Sequence, residues 1–183
     1  LDNVEIPAAI TISPSVETLA RKATNKEKTA NYLVGSGFSE IFTNSITNSA
    51  YYDENTLLHT VKMINSLSAE LNVMRPGIME TGLESIAYNL NRRNSDLQFF
   101  EFGKTYSQKE TGKYEEQNHL AVYITGKIAA DSWKSKGDKA DFYYIKGICE
   151  KIMELTGLQI TEYLLEANDK LDNAVTVKVK NKA

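Results

Sequence analysis

Hydrophobic positions recur along this chain with two different periods, and the switches between them divide it into elements. Ala30, Leu33 and Val34 lie at helical spacing behind Thr24-Asn25-Lys26-Glu27, which has the form of a capping box, so a helix is expected from Thr24. Gly35 and Gly37 should stop it. From Phe38 to Thr47, Phe38, Glu40, Phe42 and Asn44 alternate with Ser39, Ile41, Thr43 and Ser45, the period of a strand. Residues 50–65 are mixed and follow neither period. Pro76 suits a first helical position, and Met79, Leu83, Ile86, Ala87 and Leu90 then recur at three and four residues, predicting an amphipathic helix. Arg92 and Arg93 suit its C-terminal end.

Residues 97–107 read as a strand with aromatics on both faces, Leu97, Phe99 and Glu101 on one and Phe100, Phe102 and Lys104 on the other. Such a strand is buried on both sides. A charged loop around Gly112 separates it from a second strand over 119–128, in which Leu120, Val122 and Ile124 alternate with Ala121 and Tyr123. Trp133 falls in a polar loop. Ile145, Ile148, Cys149, Ile152 and Leu155 form one stripe of a further helix that Gly157 ends, and Val175, Val177 and Val179 mark a closing half-exposed strand. The loop between the two central strands is too short for a helical crossover, so they should run antiparallel. The fold class is therefore α+β, an antiparallel sheet flanked by helices. Residues 1–23, with two of the three prolines, read as a linker and lead-in, and 24–183 as one domain.

Composition narrows the functional classes. With 183 residues, 42% hydrophobic, 25% charged and a net charge of −3, the chain can bury a core and is not a nucleic-acid binder by bulk charge. No run of about 18 apolar residues is present. The single cysteine, Cys149, points to a reducing compartment, and on an apolar helical stripe it reads as a small buried hydrophobe. No glycine-rich phosphate loop appears, and His59 and His119 are sixty residues apart without metal-ligand spacing, so neither is expected to bind metal or act as a base. Glu101, a carboxylate among aromatics, requires a partner. Pairing with Lys104, Arg92 or Arg93 is expected; a carboxylate lining a ligand cleft is the alternative. Arg75, ahead of a helix where it would not help the dipole, suits a carboxylate from a neighbouring segment. In the pairs Tyr51-Tyr52 and Tyr143-Tyr144, one ring is expected in the core and one at an interface.

The segments "VGSGFSEIFTNSIT", "MRPGIMETGLESIAYNLNRR", "LQFFEFGKTYS" and "DFYYIKGICEKIMELTG", in that order and spacing, resemble the bacterial phenylalanyl-tRNA synthetase beta subunit. The resemblance runs from the opening segment to the last helix and implies the class II synthetase fold in its catalytic-like module, truncated at the C-terminal end. It further implies a non-catalytic role: packing against an alpha subunit that holds the phenylalanine and ATP site, in a cytoplasmic heterotetramer of two alpha and two beta chains that acts on tRNA. Thr24 to Thr47 match the family's first motif, which builds the subunit interface, with Tyr32, Phe38, Ile41 and Phe42 as candidate contacts. The family's second motif ends its strand with an aromatic, an arginine that holds the ATP α-phosphate, any residue, and an acid. Here the aromatic is Tyr106, Ser107 stands at the arginine position and Lys109 at the acid position, so no catalytic residue is expected. A serine offers one neutral hydrogen bond in place of a bidentate cation, and Lys109 reverses the acid's charge.

A cleft bounded by Arg75, Glu101 and Ser107 is the expected remnant of the site. No metal or cofactor is expected on this chain; ATP and Mg2+ belong to the whole enzyme. The third motif has no counterpart before Ala183, and the editing domain with its magnesium residues is expected before Leu1. The alternatives are an active ATP-binding domain with an unusual site, or an unrelated α+β interaction module.

Overall fold

The computed structural model describes residues 13, 18–66, 68–110, 112–168 and 171–181. Helix α1 spans Thr18–Gly35, so it begins six residues before Thr24, inside the expected lead-in. Thr24 is thus an interior residue and not the cap; residues 1–12 lie outside the described part. The helix ends where the glycines predict. Phe38 N–H reaches back to the Leu33 carbonyl at 3.0 Å, and Gly37 takes φ 91°, a left-handed conformation that glycine adopts without the penalty a side chain would meet.

The chain then enters the sheet. Strand β1 (Ser39–Glu40) runs parallel to β4 (Leu97–Glu110), with Ser39 opposite Phe99. The expected ten-residue strand is instead two short ones, β1 and β2 (Ile46–Thr47), the latter paired with β3 (Val73–Met74). The residues between have their backbone groups bonded elsewhere: Thr43 N–H donates to the Glu101 carboxylate at 3.3 Å, and the Ser45 carbonyl accepts from Arg75 N–H at 2.8 Å. Alternation alone does not reveal that these groups leave the ladder. A 3-10 turn at Ser49–Tyr51 leads into the mixed stretch, which holds a short helix, α2 (Glu54–Leu58), capped by Asp53.

Helix α3 (Met79–Leu90) starts three residues after Pro76. Arg75, as the residue before a proline, is held extended, its N–H on Ser45 O and its carbonyl accepting from Tyr106 N–H. The buried residues of α3 are Thr81 and Gly82, whereas Leu83 and Leu90 of the expected stripe are exposed. The helix turns its small residues to the sheet because the Tyr123 ring lies directly against Gly82.

Strands β4 and β5 (Lys113–Thr125) form one long antiparallel hairpin, with Leu97 opposite Thr125 and Glu110 opposite Lys113. The antiparallel expectation holds, but the charged segment around Gly112 is strand almost to its tip. Its charges are arranged as ion pairs along the ladder: Lys104–Glu116 at 2.5 Å, Lys109–Glu115 at 2.6 Å and Lys113–Glu110 at 2.5 Å. Opposed charges on facing strands hold a polar ladder that has no core to bury.

One face of this hairpin carries the core. Leu33 of α1, Phe38, Phe100 of β4 and Ile148 of α4 (Phe142–Leu155) are buried together, with Phe102, Leu120, Val122 and Ile124 packed around them. Phe100 is fully buried; truncating such a ring to alanine costs about 3–5 kcal/mol. The Asp141 carboxylate caps α4 on Tyr144 N–H at 2.8 Å. Strands β6 (Leu158–Asn168) and β7 (Leu171–Asn181) close as a second antiparallel hairpin. The valine alternation foretells β7; β6, with polar residues mixed through it, is an added element. Of the paired tyrosines, Tyr52 is buried and Tyr51 exposed, while Tyr144 is half-buried and Tyr143 exposed. Trp133 is almost wholly exposed in the loop before α4.

Candidate functional site

Behind the hairpin, on the face opposite the core, lies a buried ion pair. Arg75 is 2% exposed and Glu101 0%. Arg75 Nη1 donates to Glu101 Oε1 at 2.9 Å and to Thr43 Oγ1 at 2.7 Å, and its Nε donates to the Lys104 carbonyl at 2.8 Å. The Thr43 hydroxyl in turn donates to Glu101 Oε2 at 2.7 Å. Thr81, at the start of α3, lies 3.0 Å from that hydroxyl, and its own hydroxyl donates to Ile78 O at 3.2 Å. The node thus ties the segment after β1, the extended residues before α3, the first turn of α3 and the middle of β4. Glu101 is paired with Arg75, not with Lys104, Arg92 or Arg93. Arg92 instead lies over the Tyr88 ring, 3.3 Å from its centroid, and Lys104 is directed to Glu116.

Gly103 is what lets the guanidinium approach the strand so closely. A Cβ there would stand 2.3 Å from Arg75 Nη2 and 2.6 Å from Ile78 Cδ1. Beside it, the Tyr123 hydroxyl donates to the Ile78 carbonyl at 2.7 Å. Burial, helped by the Glu101 charge, pushes the Tyr123 phenol up to about 12. The Tyr52 phenol is raised by burial too, with Glu80 adding in the same direction. Thr43, Thr81, Gly103 and Tyr123 escaped the sequence reading, because each carries no unusual spacing and gains its role only when four segments meet.

A cleft of about 640 Å³ opens beside the node, lined by Lys26, Phe42, Ser45, Arg75, Phe102, Lys104, Tyr106 and His119 among others. Arg75 reaches it; Ser107 is not among its lining residues. Ser107 sits in the hairpin opposite Glu115, and Lys109 spends its charge on the same Glu115 at 2.6 Å. That hydrogen-bonded ion pair holds the Glu115 carboxyl below the ordinary range. Of the expected interface residues, Phe38 is buried in the core and Phe42 is 91% exposed, with Tyr32 and Ile41 half-buried between these extremes. His119 contacts Thr105 Oγ1 at 2.8 Å. Among the described residues no three His, Cys, Asp or Glu side chains are grouped to hold a metal ion. Burial raises the Cys149 thiol above its ordinary value. Among the described residues no helix is long and apolar enough to cross a membrane.

This layout of hairpin, parallel motif strand and flanking helices is that of class II aminoacyl-tRNA synthetases. The solved pyrrolysyl-tRNA synthetase PylSc of Desulfitobacterium hafniense superposes with a TM-score of 0.61 at 18% identity, over 86% of this chain and 54% of that one. A Bacillus halodurans protein described as an ATP phosphoribosyltransferase regulatory subunit/histidyl-tRNA synthetase gives 0.57 at 16% identity, over 85% and 38%. At these identities the likeness speaks to fold alone. The sequence goes further: residues 6–181 match the family model described as the phenylalanyl tRNA synthetase beta chain CLM domain, and the chain belongs to that family. The phenylalanine–tRNA ligase beta subunit of Bacteroides thetaiotaomicron is 40% identical over 171 residues, 87% of this chain and 21% of that protein. That of Bacteroides fragilis is 36% identical over 193 aligned positions, 98% of this chain and 24% of the relative. The chain thus spans about a fifth to a quarter of the length of these curated relatives.

Proposed function

We propose that this chain is the catalytic-like but non-catalytic module of a phenylalanine–tRNA ligase beta subunit. It docks on the alpha subunit through α1 and the corner that follows it. The alpha subunit then carries out the ATP- and Mg2+-dependent attachment of phenylalanine to tRNA, in a cytoplasmic assembly of two alpha and two beta chains. The observation that carries the non-catalytic reading is the fate of the cations. Ser107 stands where an α-phosphate arginine would be, Lys109 is bound to Glu115, and Arg75 in the cleft wall is held by Glu101, Thr43 and the Lys104 carbonyl. Adenylation needs preorganised donors at the charge that develops, and loss of one such donor costs a factor of about a hundred or more. The docking reading is supported by Phe42, a large apolar side chain that stands almost fully in solvent beside a buried corner.

Isothermal titration of the chain with Mg-ATP tests the first part. No saturable heat at millimolar nucleotide is expected. Saturable binding would return the chain to the class of active domains.

A further inference from the structure

We propose that the cleft beside Phe42 receives an acidic segment of the partner subunit, with a carboxylate seated at Lys26 and Lys104. This rests on the docking reading above and names the chemistry of the same surface. Among the described residues, those that line the cleft include three permanent cations and no Asp or Glu. Their charges are unequally spent. Arg75 is neutralised by Glu101 behind the wall. Lys104 is paired with Glu116 at 2.5 Å, but both side chains are about half exposed, so Glu116 can yield or share the lysine. Lys26, on the exposed side of α1, pairs with no carboxylate among the described residues; its Nζ stands over the Phe102 ring, 5.0 Å from the centroid. Phe42 stands at the same cleft, 91% exposed.

One unneutralised ammonium above an aromatic floor, beside an apolar knob, is complementary to an Asp or Glu next to an apolar side chain. It is a poor match for a polyanion. A nucleic acid would meet one uncommitted lysine together with the carboxylates of Glu115 and Glu116 on the adjoining hairpin, on a chain of net charge −3. A phosphate group would want a free guanidinium fork, and that of Arg75 is occupied. Charge pairs at such a site govern association rate and register more than affinity.

The experiment uses the full-length beta chain and its alpha subunit. Stopped-flow association is measured for wild type, Lys26→Glu, Lys26→Arg and Phe42→Asp, at about 0.05 M and about 0.5 M salt, where screening shortens the reach of exposed charges. Lys26→Glu is expected to slow association about tenfold at low salt and much less at high salt, while Lys26→Arg behaves as wild type. Zero-length carbodiimide coupling of the wild-type complex is expected to join the Lys26 or Lys104 Nζ to an alpha-subunit Asp or Glu, found by mass spectrometry.

If Lys26→Glu associates like wild type while Phe42→Asp does not associate, the docking surface stands and the acidic-segment proposal is overturned. If neither variant changes association, both readings fall. If Lys26→Glu weakens retention on tRNA and leaves the protein association rate unchanged, the cleft serves nucleic acid and the proposal is wrong.

Discussion

The buried Arg75–Glu101 pair is a structural tie between β4 and the residues before α3, and this can be tested on the chain's stability. In Arg75→Met the guanidinium and its bonds to Glu101, Thr43 and the Lys104 carbonyl disappear. Glu101 stays fully buried, with only the Thr43 hydroxyl at 2.7 Å and Thr43 N–H at 3.3 Å to hold it. Removing one member of a buried pair costs about 3–5 kcal/mol, because the other is left as an uncompensated charge. Against the usual 5–15 kcal/mol (roughly) for a whole domain, that is a large share. At about 2–4 °C per kcal/mol for a chain of this size, the melting temperature should fall by roughly 6–20 °C. The double variant Arg75→Met/Glu101→Leu removes both charges and fills their space with apolar atoms. It should be more stable than Arg75→Met alone and fall within about 1–2 kcal/mol of wild type. Urea denaturation of the four species, followed by circular dichroism, gives the cycle. Two results refute the reasoning: a single variant within about 1 kcal/mol of wild type, or a double variant as unstable as the sum of the singles. Either would mean that the guanidinium is not committed to Glu101.

Other expectations follow from the same node and its surroundings. Gly103→Ala places a Cβ within 2.3 Å of Arg75 Nη2, so it should destabilise the chain by about 1–3 kcal/mol as an overpacked site, measured as a shift in urea midpoint at unchanged slope. The Tyr123 phenol is raised from 10.0 to about 12 in the folded state. Its contribution is therefore complete below about pH 10 and is lost as pH rises from there towards 12, with Tyr52 acting in the same direction. Alkaline melting curves should steepen above pH 10, and Tyr123→Phe should flatten that loss; an unchanged curve would show that the phenol is not held protonated by the fold. At the surface, Phe42→Asp should leave the melting temperature unchanged, since exposed substitutions shift stability by no more than about 0.5 kcal/mol.

Much of this architecture is legible in the sequence because it follows from periods and punctuation. The alternation over residues 97–107, the stripe on α4, the glycines that end α1 and the short link between the two central strands each have one physical reading, and the structure bears each out. What was not legible depends on contacts between distant segments. The strand expected over Phe38–Thr47 breaks because Thr43 and Ser45 turn to Glu101 and Arg75, residues thirty to sixty positions away. The stripe on α3 stays half-exposed because Gly82 meets Tyr123, which no helical wheel contains. Charged residues around Gly112 read as a loop when taken singly and as a strand ladder once paired across it. Similarly, the sequence flagged Arg75 and Glu101 one at a time, each in need of a partner; that they serve each other required the fold. The reading of Ser107 as standing at the arginine position rests on the resemblance alone; the fold adds only that Ser107 lies opposite Glu115.

The most direct test of the central claim is light scattering during size-exclusion chromatography of this chain mixed with a phenylalanine–tRNA ligase alpha subunit, beside the same mixture made with Phe42→Asp. A docking module predicts one co-eluting species with the summed mass of its subunits for wild type, and two separate peaks for the variant. Co-elution of both alike would contradict the placement of the docking surface, and separate peaks for wild type as well would contradict the docking role itself.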